Sequence, residues 1–170
     1  MSPNNMHSTI VAPNSSDGSD NITTSYLNRV VNGQHQITPW RAVDLSHRLP
    51  GGGFSATSSD LVRMGLVHLN NDYLSEQVRR EFSKPQRLDS GEVYEQNYAL
   101  GWRYREWQVD GVGLARNINH WGVSCGAQRF VAVFPELDMV IAINANIKTA
   151  SYADFAMLYQ DILQAFTEQQ

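Results

Sequence analysis

The chain has 170 residues, room for one ordinary domain, and 42 % of them are hydrophobic, which is compatible with a packed core. Thirteen Lys and Arg against 17 Asp and Glu leave a formal charge of -4, and the lysines are Lys84 and Lys148 alone. That balance, without a basic cluster, argues against nucleic acid or an anionic membrane as a partner, and no apolar stretch approaches the roughly 20 residues that span a bilayer.

Residues 1–25 are rich in Asn, Ser and Thr and lack the apolar core of a signal peptide, so they read as a polar lead-in loop. Tyr26 to Trp40 carries short apolar pieces on either side of Asn32-Gly33, a hairpin signal. The cluster Gly51-Gly52-Gly53 reads as a hinge. Thr57-Ser58-Ser59-Asp60 follows as a capping box, opening a helix whose stripe is Leu61, Val62, Gly65, Leu66 and Leu69. A second helix is predicted over Ser75–Phe82, stopped by Lys84-Pro85.

After Asp89-Ser90-Gly91 the period changes to two. Tyr98, Leu100, Trp102 and Tyr104 alternate with smaller or charged residues, predicting a half-buried strand over about 98–107. Asp110-Gly111-Val112-Gly113 is a turn. His120-Trp121-Gly122 then precedes a strand near 126–134, the turn Pro135-Glu136-Leu137-Asp138, and a strand near 139–146. The short link makes the last two an antiparallel pair, and their nearly uniform apolarity predicts cover on both faces. Ser151-x-x-Asp154 is a second capping box, before a helix with Phe155, Leu158, Ile162 and Phe166 on one face. No internal repeat and no second domain are visible.

This order of elements resembles the C-terminal half of the beta-lactamase-related serine hydrolases, which include class C beta-lactamases, penicillin-binding proteins, D-Ala-D-Ala carboxypeptidases, related esterases and the mitochondrial serine beta-lactamase-like protein. Met6-x-x-Thr9 is similar to the family's Gly-Met-x-x-Thr segment. Gly51 through Leu61 is similar to Gly-Gly-x-x-Ser-Thr-x-x-Asp-Leu, and Leu74-Ser75-Glu76 through Pro85 to the next helix. Tyr98-Ala99-Leu100-Gly101-Trp102 is similar to Tyr-Gly-Leu-Gly-Trp. His120-Trp121-Gly122 with Gly126 is similar to the His-x-Gly strand, and Phe134-Pro135-Glu136 through Asn144 or Asn146 to Pro-Glu, an apolar strand and Asn. No single piece is specific; six in order are.

The resemblance implies an α+β fold: a partial beta-lactamase/transpeptidase architecture with an antiparallel sheet, flanking helices and a C-terminal helix. Residues 26–170 are expected to form the C-terminal portion of one such domain. It further implies a serine that attacks an amide or ester carbonyl and forms an acyl-enzyme, without metal or organic cofactor. In that scheme His120 supplies a hydrogen bond or partial positive charge at the reaction centre. Gly122 lets an extended substrate approach the strand. The Val123 N–H is one of two oxyanion donors, the other being the nucleophile's own N–H. Trp121 and Ser124 are wall residues; where the family carries a small residue, the Trp121 indole either narrows the groove or points into a core.

The nucleophile is the part the sequence lacks. In the family it lies in Ser-x-x-Lys, whose lysine takes the serine's proton. Lys84 follows Glu81 and Lys148 follows Ala145 at that spacing, so no Ser-x-x-Lys is present. Tyr26-Leu27-Asn28 spells the family's Tyr-x-Asn but comes after Met6-x-x-Thr9 instead of before it, and reads as structural. The nucleophile, the general base, the N-terminal strands and any targeting signal are expected upstream of Met1, which leaves the compartment open in a family often periplasmic or secreted. The expected partners are a small-molecule or peptide substrate and the missing N-terminal half of the fold.

Four other readings are available. Gly122-Val123-Ser124-Cys125-Gly126 spells the Gly-x-Ser-x-Gly nucleophile elbow, but that element needs a helix after the turn and a histidine later in the chain, and no histidine follows His120. Cys125, the single cysteine, is better read as a small buried residue than as a nucleophile. The five histidines are scattered without metal-ligand spacing. The serious alternative is a non-catalytic pseudoenzyme or peptide-binding module that keeps the groove.

Overall fold

The computed structural model describes residues 5–11, 22–41, 43–49 and 51–168. Among the described residues, eight strands and three α-helices follow in chain order: β1 (Ile10–Val11), β2 (Tyr26–Val31), β3 (Gln34–Pro39), β4 (Phe54–Ser55), α1 (Ser58–Leu66), α2 (Glu76–Ser83), β5 (Arg103–Val109), β6 (Gly113–Ser124), β7 (Ala127–Phe134), β8 (Met139–Ala145) and α3 (Tyr152–Thr167). The framework is a four-stranded antiparallel sheet in the order β5-β6-β7-β8.

The predicted sheet had three strands; the observed one has four, because β6 was hidden. Its sequence, Gly113-Leu114-Ala115-Arg116-Asn117-Ile118-Asn119-His120, is too polar to read as a strand. Yet Asn117 and Asn119 are buried at 1 % and 3 % exposure. The Asn119 amide donates to Asn117 Oδ1 at 2.7 Å, so the polar groups partly satisfy each other inside the sheet. The strand predicted over 98–107 also begins later. Asn97 and Gly101 take positive φ (52° and 79°), and the Ala99 N–H donates to the Trp102 carbonyl, so residues 97–102 turn before β5 starts at Arg103. Aromatic alternation imitated a strand across that turn.

Side chains alternate across the sheet and divide it into two cores. Phe130, Ala132, Phe134, Ile141 and Ala115 pack against Phe155, Tyr159 and Leu163 of α3. Ile118, Val131 and Val133 face the other way, with Met64 and Leu69 of the α1 segment, Phe82 of α2, and Trp102. Tyr159 lies against Phe130 with ring centroids 4.0 Å apart and against Trp107 at 5.1 Å. Such pairs contribute about 0.5–1.5 kcal/mol each beyond their buried area. Of the stripe predicted for α3, Phe155 and Ile162 pack on the core and the other two positions do not. Leu158 and Phe166 are 47 % and 60 % exposed, while the i, i+4 row Phe155, Tyr159, Leu163 faces the sheet.

The two helix starts predicted from capping boxes are present, with different chemistry. At α3 the Ser151–Asp154 capping box is complete in both directions. At α1 the Thr57 hydroxyl accepts from the Asp60 N–H, but the Asp60 carboxylate does not reach back. Fully buried, it accepts from the Ser8 N–H at 2.8 Å, the Thr9 hydroxyl at 2.9 Å and Arg63 Nη1 at 2.8 Å. Burial pushes this carboxyl up, and the bonds from Thr9, Ser8 and Arg63 outweigh it, holding it below the usual range. Thus the segment read as lead-in is anchored at residues 8 and 9, and its Ile10–Val11 pairs with β4. Residues 12–21 of that segment lie outside the described residues.

The hairpin predicted over Tyr26–Trp40 is present, with Asn32 and Gly33 at positive φ between β2 and β3. It attaches to the end of β8: the Tyr26 N–H donates to the Asn146 carbonyl, and the Asn146 side chain donates to the Thr24 carbonyl. Gly126, in the β6–β7 turn, makes the seat. A Cβ there would lie 2.4 Å from the Tyr26 carbonyl oxygen.

Candidate functional site

His120-Trp121-Gly122 does not open an apolar strand, as the sequence suggested; it lies near the end of β6, and β7 follows after the two-residue turn Cys125-Gly126. β5 pairs with β6 only as far as Arg103 opposite Asn119. From His120 to Ser124, β6 pairs with β7 alone. Five residues of backbone therefore present an edge on the β5 side with no strand partner among the described residues, a template for an extended chain. Gly122 sits in that edge, and nothing lies within 4 Å of where its Cβ would be.

His120 shares a face with Ile118 and hence with the α1–α2 side of the sheet. Its Nδ1 lies 3.0 Å from the Gly101 carbonyl oxygen. A carbonyl only accepts, so Nδ1 carries the hydrogen, and in the neutral ring Nε2 is left with a lone pair. Partial burial and the nearby Arg103 guanidinium lower the imidazole from its ordinary value of 6.5, opposed by the bond to Gly101. The neutral form with an accepting Nε2 is thus the resting state at neutral pH. The turn that displaced the predicted strand is what brings the Gly101 carbonyl to this ring.

Of the predicted site residues, His120, Gly122 and Ser124 share one face by alternation, and the Val123 backbone lies between them on the bare edge. Ser124 Oγ lies 3.5 Å from Cys125 Sγ at the turn. Trp121 is not brought to this group. It points to the α3 side, where its ring lies 4.5 Å from that of Tyr152 and 4.7 Å from the Arg103 guanidinium. Of the two orientations open to the indole, the core-facing one is realised.

Gly122-Val123-Ser124-Cys125-Gly126 runs strand, turn, strand, which is not the geometry of a nucleophile elbow. Tyr26-Leu27-Asn28 lies in the β2–β3 hairpin, where Asn28 Oδ1 faces His35 Nδ1 at 3.0 Å. Among the described residues no group of three or more His, Cys, Asp or Glu could hold a metal ion, and no helix is long and apolar enough to cross a membrane.

Sequence reasoning missed Arg129. It pairs with Gly122 across the β6–β7 ladder, so its side chain stands on the His120 face beside the open glycine. Tyr98, in the turn before β5, has its ring 6.3 Å from that of His120 and 4.4 Å from the Arg103 guanidinium. Both placements depend on strand register and on the turn at 97–102, which a period count does not supply.

Comparison with solved structures finds folds of the same kind. The chain is similar to a D-stereospecific amidohydrolase from Streptomyces sp. (TM-score 0.64, 17 % identity, covering 86 % of this chain and 41 % of that one). It is similar to the octameric penicillin-binding protein homologue from Pyrococcus abyssi (0.63, 15 %, 95 % and 35 %). It is also similar to a penicillin-binding protein from Bacillus halodurans (0.62, 16 %, 92 % and 45 %). The chain spans less than half the length of each. No curated protein matches it. The family model described as Beta-lactamase matches residues 3–165, nearly the whole sequence, and the chain belongs to that family.

Proposed function

We propose that this chain is the C-terminal portion of a serine hydrolase that cleaves amide or ester bonds through an acyl-enzyme, and that it is inactive alone. The observation that carries this reading is the free edge of β6 from His120 to Ser124, with the open Gly122 and the oriented imidazole beside it. A substrate laid antiparallel on that edge meets backbone donors, and Gly122 admits it at close range. The serine attacks the carbonyl; the Val123 N–H and the serine's own N–H take the developing oxyanion. The neutral His120 accepts a hydrogen bond at Nε2 from the substrate or from a protonated group beside it. The serine and its lysine base come from a segment outside these 170 residues, consistent with neighbours more than twice as long.

The test is acylation by a labelled penicillin and turnover of a chromogenic ester. The chain alone is expected to do neither, and label or turnover by this chain alone refutes the missing nucleophile. Activity that appears on mixing with an upstream segment containing Ser-x-x-Lys supports the split reading. A second reading, a non-catalytic peptide-binding module, is favoured by the same bare edge combined with the absence of Ser-x-x-Lys from the sequence. It predicts saturable binding of D-Ala-D-Ala peptides that no upstream segment converts into hydrolysis.

A further inference from the structure

On the face of the sheet away from His120 lies a cavity of about 220 Å³, bordered by Gln96, Arg103, Arg105, Asn119, Trp121 and Tyr152 among others. Two guanidinium groups border it and no carboxylate does. Arg103 is 6 % exposed. Its Nε donates to Gln96 Oε1 at 3.1 Å, and its Nη1 is buried without any hydrogen-bond partner. The group is clamped between the Tyr98 ring at 4.4 Å and the Trp121 ring at 4.7 Å, so it cannot swing to solvent without breaking both contacts. Arg105 Nη1 donates to the Gln96 and Tyr104 carbonyls. Ion pairs elsewhere among the described residues use Arg63, Arg80 and Arg116, and neither pocket arginine has one. A guanidinium keeps its charge at any ordinary pH, so burial without a counter-ion is unfavourable unless an anion completes the site.

We propose that this cavity is a carboxylate-binding site, separate from the hydrolytic site, that takes a small acid with a flat apolar body. Arg103 and Arg105 supply the positive charge that a carboxylate needs, and Trp121 and Tyr152 wall the body. A phosphate is the poorer fit. Its additional charged oxygens need donors, and Arg105 Nη1 is already committed to two carbonyls. The volume is below that of drug-sized pockets, which restricts the ligand to something near benzoate in size. The same carboxylate chemistry is available from a Glu side chain of a polypeptide.

Titration of the chain with benzoate, followed by the Trp121 indole N–H signal in ¹⁵N-correlated NMR, tests the proposal. Benzamide, of the same shape and without charge, inorganic phosphate and N-acetylglutamate amide run as parallel arms. Saturable displacement by benzoate is expected, at least tenfold stronger than by benzamide or phosphate and lost in Arg103→Gln. If Arg103→Gln fails to fold, the wild-type contrast of benzoate with benzamide decides alone. Stronger binding of N-acetylglutamate amide than of benzoate assigns the carboxylate to a polypeptide. Failure of both acids to bind, equal binding of benzamide, or equal binding of phosphate overturns the proposal.

Discussion

Gly65 is where α1 meets the sheet. A Cβ at this position would lie 2.6 Å from Val140 Cγ1, 3.2 Å from Val140 Cγ2 and 3.3 Å from Val133 Cγ2. Carbon atoms in contact ordinarily keep about 3.5–4.0 Å, so the worst overlap is near 1 Å. Val140 is β-branched and sits in a strand, so it has little freedom to rotate away. Gly65→Ala therefore combines two opposed effects. Ala gains about 1 kcal/mol of helix propensity over Gly, and overpacking loses about 1–3 kcal/mol. The net expectation is a loss of about 1 kcal/mol, or roughly 2–4 °C in Tm for a chain of this size. Val140→Ala removes both colliding methyls and by itself destabilises by about 1–2 kcal/mol. In that background Gly65→Ala should reverse sign and stabilise by about 1 kcal/mol, a coupling of about 2 kcal/mol. Urea denaturation of the four proteins measures it. Additivity within about 0.5 kcal/mol, or a higher Tm for Gly65→Ala in the wild-type chain, refutes this account of how α1 seats.

Gly126→Ala forces a Cβ to 2.4 Å from the Tyr26 carbonyl at φ 77°; a loss of about 2–4 kcal/mol is expected, and thermal melts showing less than about 0.5 kcal/mol would mean that the hairpin does not rest on this turn. Tyr159→Ala, which removes the ring stacked on Phe130 and Trp107, should lower stability by about 3–5 kcal/mol in urea titrations. Burial lowers His68 and His120 below their ordinary 6.5, with Arg79 and Arg103 adding repulsion. The unfolded chain then binds more protons than the folded one as pH falls past 6.5, so stability measured by denaturation should decline below that pH and decline further below the usual 3.8 of Asp60. Stability unchanged from pH 7 to pH 5 would contradict the two histidine environments. Side-chain ¹⁵N NMR at neutral pH should find the His120 proton on Nδ1, and a proton on Nε2 would remove the bond to Gly101.

Much of the architecture was legible because it rests on local rules. The Asn32-Gly33 hairpin, the two helix starts and the β7–β8 pair all follow from turn chemistry, capping residues and apolar runs. What failed were features set by contacts distant in sequence. β6 is a strand although Asn117 and Asn119 are buried in it, because it pairs with β5 and β7 along its length, and the two amides share one hydrogen bond inside the sheet. Asp60 looked like the second half of a capping box, yet its carboxylate is spent on Ser8 and Thr9, about fifty positions earlier. That bond also gives a physical reason for two segments matched separately to the family, Met6-x-x-Thr9 and the Asp60 helix start, to occur together. The candidate site was legible as residue types but not as geometry. The face that His120 and Gly122 share follows from the alternation along β6, and Arg129 and the Gly101 carbonyl enter only through register and the turn at 97–102.

The alternation of β6 divides one short motif between two tasks. His120 and Gly122 face the α1–α2 side, where the imidazole is fixed by Gly101. Trp121, between them, faces α3 and clamps Arg103 against Tyr98. Arg103 in turn lowers His120 from the far side of the sheet. Of the two orientations the sequence left open for this indole, the structure has the core-facing one, against Tyr152 and Arg103. The indole holds the cation that helps keep His120 neutral. Trp121→Ala should accordingly loosen Arg103 and move the His120 titration upward toward 6.5 without touching the face on which a substrate would lie. A titration followed by NMR that left His120 unmoved in that variant would separate the two faces electrostatically and confine Trp121 to packing.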